Sequence, residues 1–213
     1  AAALREVACL RALGSHPNIV EILDSFLDGR ARIFVVAEYF GCNLRQHMDK
    51  EGPLHARRAK LFLWQLLRAT RHCHERSIAH RDMKPQNVLV DGPSDVVKLC
   101  DFSLARQQVA GGAPQTQRVA SLWYRSPDLL LGDAADGVAL DIWSLGCVFG
   151  EMLTHAPLFP GGSEIETLLL QFRLLGTPTE ASWPALSKLE QWSDQLPQFR
   201  PREGELLALA RTG

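Results

Sequence analysis

His80-Arg81-Asp82-Met83-Lys84-Pro85-Gln86-Asn87, followed fourteen residues beyond Asn87 by Asp101-Phe102, is the stretch whose reading decides the fold. The octet lies just past the clearest helix signal in the chain, in a polar segment before a strand-like run, and Asp101 closes the next such run. Asp82, Asn87 and Asp101 offer hard oxygen ligands, and Lys84 offers a compact positive charge. Taken singly, an Asp beside Pro or Phe is better read as a helix cap or turn residue. The full string with Asp101-Phe102 at this distance is too long for chance.

Outward from that centre, the pattern is helical before it and mixed around it. Apolar Ala59, Phe62, Leu63, Leu66, Leu67 and Cys73 recur at three and four residues, which predicts an amphipathic helix over 54–78. A short helix is expected over 1–13, ended by Gly14 and His16-Pro17. Residues 18–26 and 32–38 read as two β-prone runs joined at Asp28-Gly29, hence an antiparallel hairpin. Short strands are expected at 88–90 and 96–99, and a nearly all-apolar buried helix over 138–153. Residues 107–118, rich in Gln, Gly and Ala without an apolar period, are expected to form a mobile loop. Trp64, Trp123 and Trp143 read as core packing.

Bulk properties exclude several classes. The 213 residues are 46% hydrophobic and carry 23 Lys plus Arg against 24 Asp plus Glu, a net charge of -1. No field draws in nucleic acid or an anionic membrane, so neither is an expected partner. The dispersed Cys9, Cys42, Cys73, Cys100 and Cys147 form no Cys-x-x-Cys pair and suggest a reducing, intracellular setting, nucleus or cytoplasm. No apolar run approaches the roughly 18 to 20 residues of a membrane span. His72 and His74, two apart on a helix, face different sides and are not expected to share a metal ion. Position 1 is Ala and the opening residues already read as helix interior, so the natural chain is expected to begin earlier.

The octet with Asp101-Phe102 resembles the catalytic loop and metal-binding turn of eukaryotic protein kinases. Further matches follow in that family's order: Val119 to Gly132 (V-A-S-L-W-Y-R-S-P-D-L-L-L-G) resembles the end of the activation segment, and Asp141-Ile142-Trp143-Ser144-Leu145-Gly146-Cys147 the start of the buried F helix. Gly162-Ser163-Glu164-Ile165 and Leu175-Gly176-Thr177-Pro178 look like the insert of the cyclin-dependent branch. Lys84 looks like the serine/threonine group. The resemblance implies an α+β protein-kinase-like fold, mainly the helical C-lobe, with a remnant of the N-lobe sheet and its C helix. Residues 1–38 would be a partial N-lobe (C helix and last two strands) and 39–213 the hinge and partial C-lobe of one kinase domain.

What the resemblance implies about the site can be stated by residue. Asp82 would accept or orient the proton of the attacking hydroxyl, Lys84 would sit near the transferred phosphate, and Asn87 and Asp101 would hold Mg²⁺ with ATP. Glu6, on the helix resembling the cyclin-contacting one, would pair with a phosphate-gripping lysine. Glu38-Tyr39-Phe40 would form the hinge against adenine, with Ala37 at the gatekeeper position and an unusually open rear pocket. Thr116 matches the activation-loop threonine, and Arg5, Arg81 and Arg106 the three arginines around its phosphate. Arg125 matches the arginine associated with proline after the target residue, so Ser/Thr-Pro protein substrates and a cyclin-like activator are the implied partners. Asp141 would hold the catalytic-loop backbone.

Departures are equally specific. Nothing in the 213 residues resembles a glycine-rich phosphate loop, and none of the lysines Lys50, Lys60, Lys84, Lys98 and Lys188 precedes Glu6. Ser103 stands in place of the glycine after Asp101-Phe102, where left-handed backbone would cost it roughly 1–2 kcal/mol. Asp128 stands where a longer Glu usually anchors the activation segment. A cyclin-dependent-like kinase fragment, inactive in isolation, is therefore expected, with a pseudokinase or scaffold binding a cyclin-like partner as the alternative. A small-molecule phosphotransferase is disfavoured by the Trp123 to Pro127 peptide platform.

Overall fold

The computed structural model describes residues 2–30, 32–107, 121–133 and 137–202, with positions 204 and 208. The chain begins with α1 (Ala2–Leu13) and continues through the antiparallel hairpin β1 (Ile22–Leu27) and β2 (Ile33–Ala37). Its register pairs Ile22 with Ala37 and Phe26 with Phe34, with an irregularity between Ile22 and Asp24. Phe26 and Phe34 stack at 5.3 Å yet remain exposed, so the hairpin buries little and leans on α1. It is tied to the rest of the molecule by Asn18 and Val20, whose backbones exchange hydrogen bonds with Leu99 at 2.9 Å each.

Next come β3 (Cys42–Asn43), α2 (Leu44–Glu51) and the long α3 (Ala56–Glu75). Asn43 and Gln46 form a reciprocal capping box that fixes the start of α2. Helix α3 is shorter at both ends than the 54–78 expectation. It starts where the His55 side chain accepts from the Arg57 N–H, and it stops before Ser77, which takes a left-handed φ of 56°. Its apolar stripe Ala59, Phe62, Leu66, Ala69 and Cys73 is wholly buried and packs on α5 and β6. Gln65, on the same helix, accepts from Asn18 and the Val97 N–H, locking α1's exit turn to the sheet.

Beyond α3 the chain forms β4 (Ile78–Ala79), β5 (Val88–Asp91), β6 (Val96–Leu99) and β7 (Arg106–Gln107). Strands β3, β5 and β6 make one antiparallel sheet, and β4 pairs with β7. Then follow α4 (Pro127–Leu130), the central α5 (Gly137–Thr154) and α6 (Glu164–Leu175). At Gly150 a Cβ would meet the Leu158 side chain at 2.5 Å, so a larger residue there would push Leu158 off α5. Among the described residues α5 is the one helix long and apolar enough to cross a membrane, which the 18–20 residue criterion had missed. Its Asp141 and Glu151 are both buried and bonded, and most of its residues lie in the core, the usual situation of a central helix.

The tryptophan expectation needs correcting. Trp64 is 55% exposed and Trp123 42% exposed, and Trp143 alone is mostly covered, stacking on Phe159. Trp64 sits on the outward side of α3, where periodicity puts it among charged residues rather than with Phe62 and Leu66. Trp123 is held at its rim by a hydrogen bond from its indole to the Gly161 carbonyl, 3.0 Å.

Candidate active site

The loop 80–87 is shaped from below by one buried carboxylate. Asp141 on α5 is 0% exposed, accepts from the His80 N–H at 2.9 Å and the Arg81 N–H at 2.7 Å, and faces the His74 ring at 2.8 Å. These bonds hold Arg81 in left-handed backbone, φ 68°, where a non-glycine residue stays only if its surroundings compel it. Asp141 thus plays the scaffolding part expected of it, beyond a simple helix cap.

The loop and the Asp101 turn are joined on two sides. The Cys100 N–H donates to the Asn87 carbonyl, and the His80 Nε2–H donates to the Cys100 carbonyl, both at 3.0 Å. With its proton on Nε2, the His80 ring accepts on Nδ1 from the Asp82 N–H at 3.3 Å, and its edge meets the Phe102 ring at 4.7 Å. Burial of His80 and Phe102 makes this a rigid staple.

Four donors converge on Asp82. Lys84 Nζ lies 2.7 Å and Asn87 Nδ2 3.0 Å from Oδ2, while the Ser121 N–H and hydroxyl lie 3.1 and 3.2 Å from Oδ1. Lys84 also reaches the Ser121 hydroxyl at 3.1 Å. Sequence motifs singled out Asp82, Lys84 and Asn87 but missed Ser121, which sits 39 positions away at the head of the Leu122–Tyr124 turn. Its only signal was its position two residues before Trp123. A carboxylate has about four lone-pair positions, so Asp82 is oriented from every side.

Asp101 occupies left-handed backbone, φ 62°, and accepts from the Ser103 N–H at 3.3 Å. Ser103 is not in that region, so the strain expected of it is absent and rests on Asp101 instead. The Ser103 carbonyl is taken by Arg5 at 2.9 Å. Glu6 faces the same turn: burial first, then the Asp101 carboxylate, push its pKa up, while the Phe102 N–H and His80 draw it back. Among the described residues no Lys or Arg side chain pairs with Glu6.

The donor set suits magnesium. Asn87 spends its Nδ2 on the Asp82 carbonyl at 2.8 Å and on its carboxylate, which turns the amide oxygen into the available ligand, and Asp101 adds a carboxylate. Mg²⁺ characteristically takes one or two protein oxygens and completes its shell with water and phosphate. No cluster of three or more His, Cys, Asp or Glu able to hold a metal occurs among the described residues. His72 bonds the Leu13 carbonyl and His74 bonds Asp141, so both imidazoles serve the scaffold.

The remaining predicted positions are spread around this centre. Glu38 is clamped by Lys98 Nζ at 2.6 and 2.7 Å, and the same ammonium lies 5.1 Å from the Phe40 ring. Ala37 is exposed. Arg125 pairs with Glu164 at 2.6 Å, and its carbonyl accepts from Gln171. Arg81 is 2% exposed, and its Nε and Nη1 find no hydrogen-bond partner among the described residues. Burial, then Arg106 and, more weakly, Arg5, lower its pKa, with Asp141 opposing them. Thr116 lies outside the described residues, as does most of the expected loop 107–118; Gln107 itself belongs to β7.

A helical body whose central helix carries a buried Asp under a His-Arg-Asp loop, with a small sheet remnant ahead of it, defines a protein kinase fold. Residues 1–200 match the protein kinase domain, and the chain belongs to that family. Among solved structures it is similar to a chain in the CAK complex from Chaetomium thermophilum bound to ATP-γ-S. The two are 37% identical with a TM-score of 0.90, over 99% of this chain and 67% of that one.

Proposed function

We propose that the chain is the central part of a cyclin-dependent-like serine/threonine kinase that transfers the γ-phosphoryl group of ATP to Ser/Thr-Pro sites in proteins. The observation that carries this is the convergence of Lys84, Asn87 and Ser121 on the Asp82 carboxylate. When bound, Mg·ATP supplies the phosphoryl group and offsets its spread charge, with Asn87 and Asp101 holding the metal. Asp82 takes the hydrogen bond of the incoming hydroxyl and orients its oxygen for attack. Because Asp82 is already saturated, that hydroxyl replaces Ser121 Oγ, which stays engaged through Lys84. Lys84 then stands beside both the nucleophile and the phosphate.

The substrate class and partners rest on neighbouring features. Arg125, fixed by Glu164 a few residues beyond Ser121, carries the preference for proline after the target residue. A cyclin-like activator fits α1, where Leu4 is exposed and a cavity of about 640 Å³ opens between Arg5, Cys9 and Ala12 on one side and Arg76 and Arg106 on the other. A phosphate on Thr116 gives Arg81, whose Nε and Nη1 find no hydrogen-bond partner among the described residues, an anion to bind. The 213 residues alone hold ATP weakly, since they contain no glycine-rich loop and no lysine before Glu6.

The test is transfer from Mg·ATP to a Ser-Pro peptide, first with these residues alone and then with a glycine-loop and lysine-bearing sheet from a relative fused ahead of Ala1. No turnover from the first and turnover from the second, lost in Asp82→Asn, is expected. Turnover surviving that substitution overturns the proposal. A fused protein that binds ATP without transferring it supports the pseudokinase alternative instead.

A further inference from the structure

Helix α3 has an outer face that its role under the catalytic loop does not use. Its exposed residues are Arg57, Lys60, Leu61, Trp64, Leu67, Arg68, Arg71 and Glu75, and there is no acidic side chain on the helix before Glu75. Lys60, Trp64, Leu67 and Arg71 follow one another at four, three and four residues and so form a single stripe. The two acids near the helix start, Glu51 and Asp95, are bound to Arg58, and Glu75 is bound to Arg71. Among the described residues Arg57, Lys60 and Arg68 have no carboxylate partner. Arg68 instead covers the Trp64 ring at 4.8 Å. Beyond the end of the stripe lies the exposed Arg76, and burial, with Arg68 and Arg76 nearby, lowers the pKa of His16.

An exposed Trp between two Leu, with Arg57 and Lys60 before it and Arg68 after it lacking a carboxylate among the described residues, is costly to display and is the composition of a binding hot spot. From Lys60 to Arg71 the helix rises about 16 Å, the length of about five extended residues. We propose that this face docks an acidic segment of a partner protein, with apolar anchors set between two groups of carboxylates. The charge pattern selects that occupant: basic residues at the ends attract acids, and Leu61, Trp64 and Leu67 take the anchors. A polyanion or a membrane is a poorer match, because the chain as a whole carries a net charge of -1 and lacks the long-range field that such surfaces exploit. The proposal does not depend on the kinase activity.

The probe is a fluorescein-labelled peptide with two acidic pairs flanking a central Phe and Leu, titrated with the protein and followed by anisotropy and by Trp fluorescence. Binding that weakens steeply with salt is expected, together with a loss of about tenfold or more in Trp64→Ala and in Lys60→Glu/Arg68→Glu, since about 1.4 kcal/mol is tenfold. Both sites are exposed, so an unchanged melting temperature is expected and separates lost docking from lost folding. No binding of the acidic peptide overturns the proposal. So does equal binding of its lysine-substituted counterpart, or affinity unchanged in the variants. Tighter binding to phosphatidylserine vesicles or duplex RNA, or concentration-dependent dimerisation lost in Trp64→Ala, assigns the face to another occupant and equally overturns it.

Discussion

Asp141→Asn tests the scaffold of the site without depending on turnover. In the wild type one carboxylate satisfies two buried backbone N–H groups, at 2.9 and 2.7 Å, and faces the His74 ring. Asn keeps one acceptor oxygen and points an NH₂ at the other donor. An orphaned buried donor costs about 1–3 kcal/mol, and a bond to a charged acceptor is worth about 1.5–3 kcal/mol. Relaxation of the left-handed Arg81 backbone returns about 1–2 kcal/mol and offsets part of that cost. The expected loss is therefore about 2–4 kcal/mol, a substantial part of the roughly 5–15 kcal/mol that holds a domain together. Urea unfolding followed by Trp fluorescence measures it, and hydrogen exchange at the His80 and Arg81 amides localises it. A loss below about 1 kcal/mol with both amides still protected would refute the assignment of Asp141 as the loop's support.

Ser121→Ala in the fused, active protein should lower kcat by about tenfold to a hundredfold, the value of the one hydrogen bond by which its hydroxyl holds the charged Lys84, with the peptide KM little changed; an unaltered kcat counts against Ser121 positioning Lys84. Glu6→Gln in the 213 residues should raise the urea midpoint at neutral pH. The folded pKa of Glu6 lies above its ordinary value, so its favourable contribution is complete below the ordinary carboxylate range and fades as pH rises through the folded value. The advantage of Gln should accordingly shrink on acidification, and a lower midpoint at neutral pH would sink this account. Burial pushes the thiols of Cys73, Cys100 and Cys147 up to about 12, while Cys42 is exposed, so iodoacetamide at neutral pH should label Cys42 first. Mass spectrometry showing Cys100 modified as fast as Cys42 would contradict the closed turn.

Much of the fold was legible because its signals are local. The stripe Ala59, Phe62, Leu66, Ala69 and Cys73 announces α3, and the apolar run over 138–153 announces α5. Helix ends were less legible: α3 stops at Glu75 because Ser77 turns left-handed, a choice made by the β4–β7 pairing beyond it. Trp64 was misjudged because a tryptophan's type says core while its helical phase says surface, and phase decides.

The chain's own order of residues determined the chemistry on offer: one carboxylate, one lysine and the Asn87 amide within the loop, and a second carboxylate at the next strand's end. It also determined the periodicities that bury α3 and α5. Tertiary structure alone decided that Ser121 completes the Asp82 site, that Ser103 carries no strain while Asp101 does, and that among the described residues the Nε and Nη1 of buried Arg81 have no hydrogen-bond partner. Those facts arise from contacts between segments dozens of residues apart, whose geometry depends on how the helices and the small sheet pack and leaves no mark on local sequence pattern.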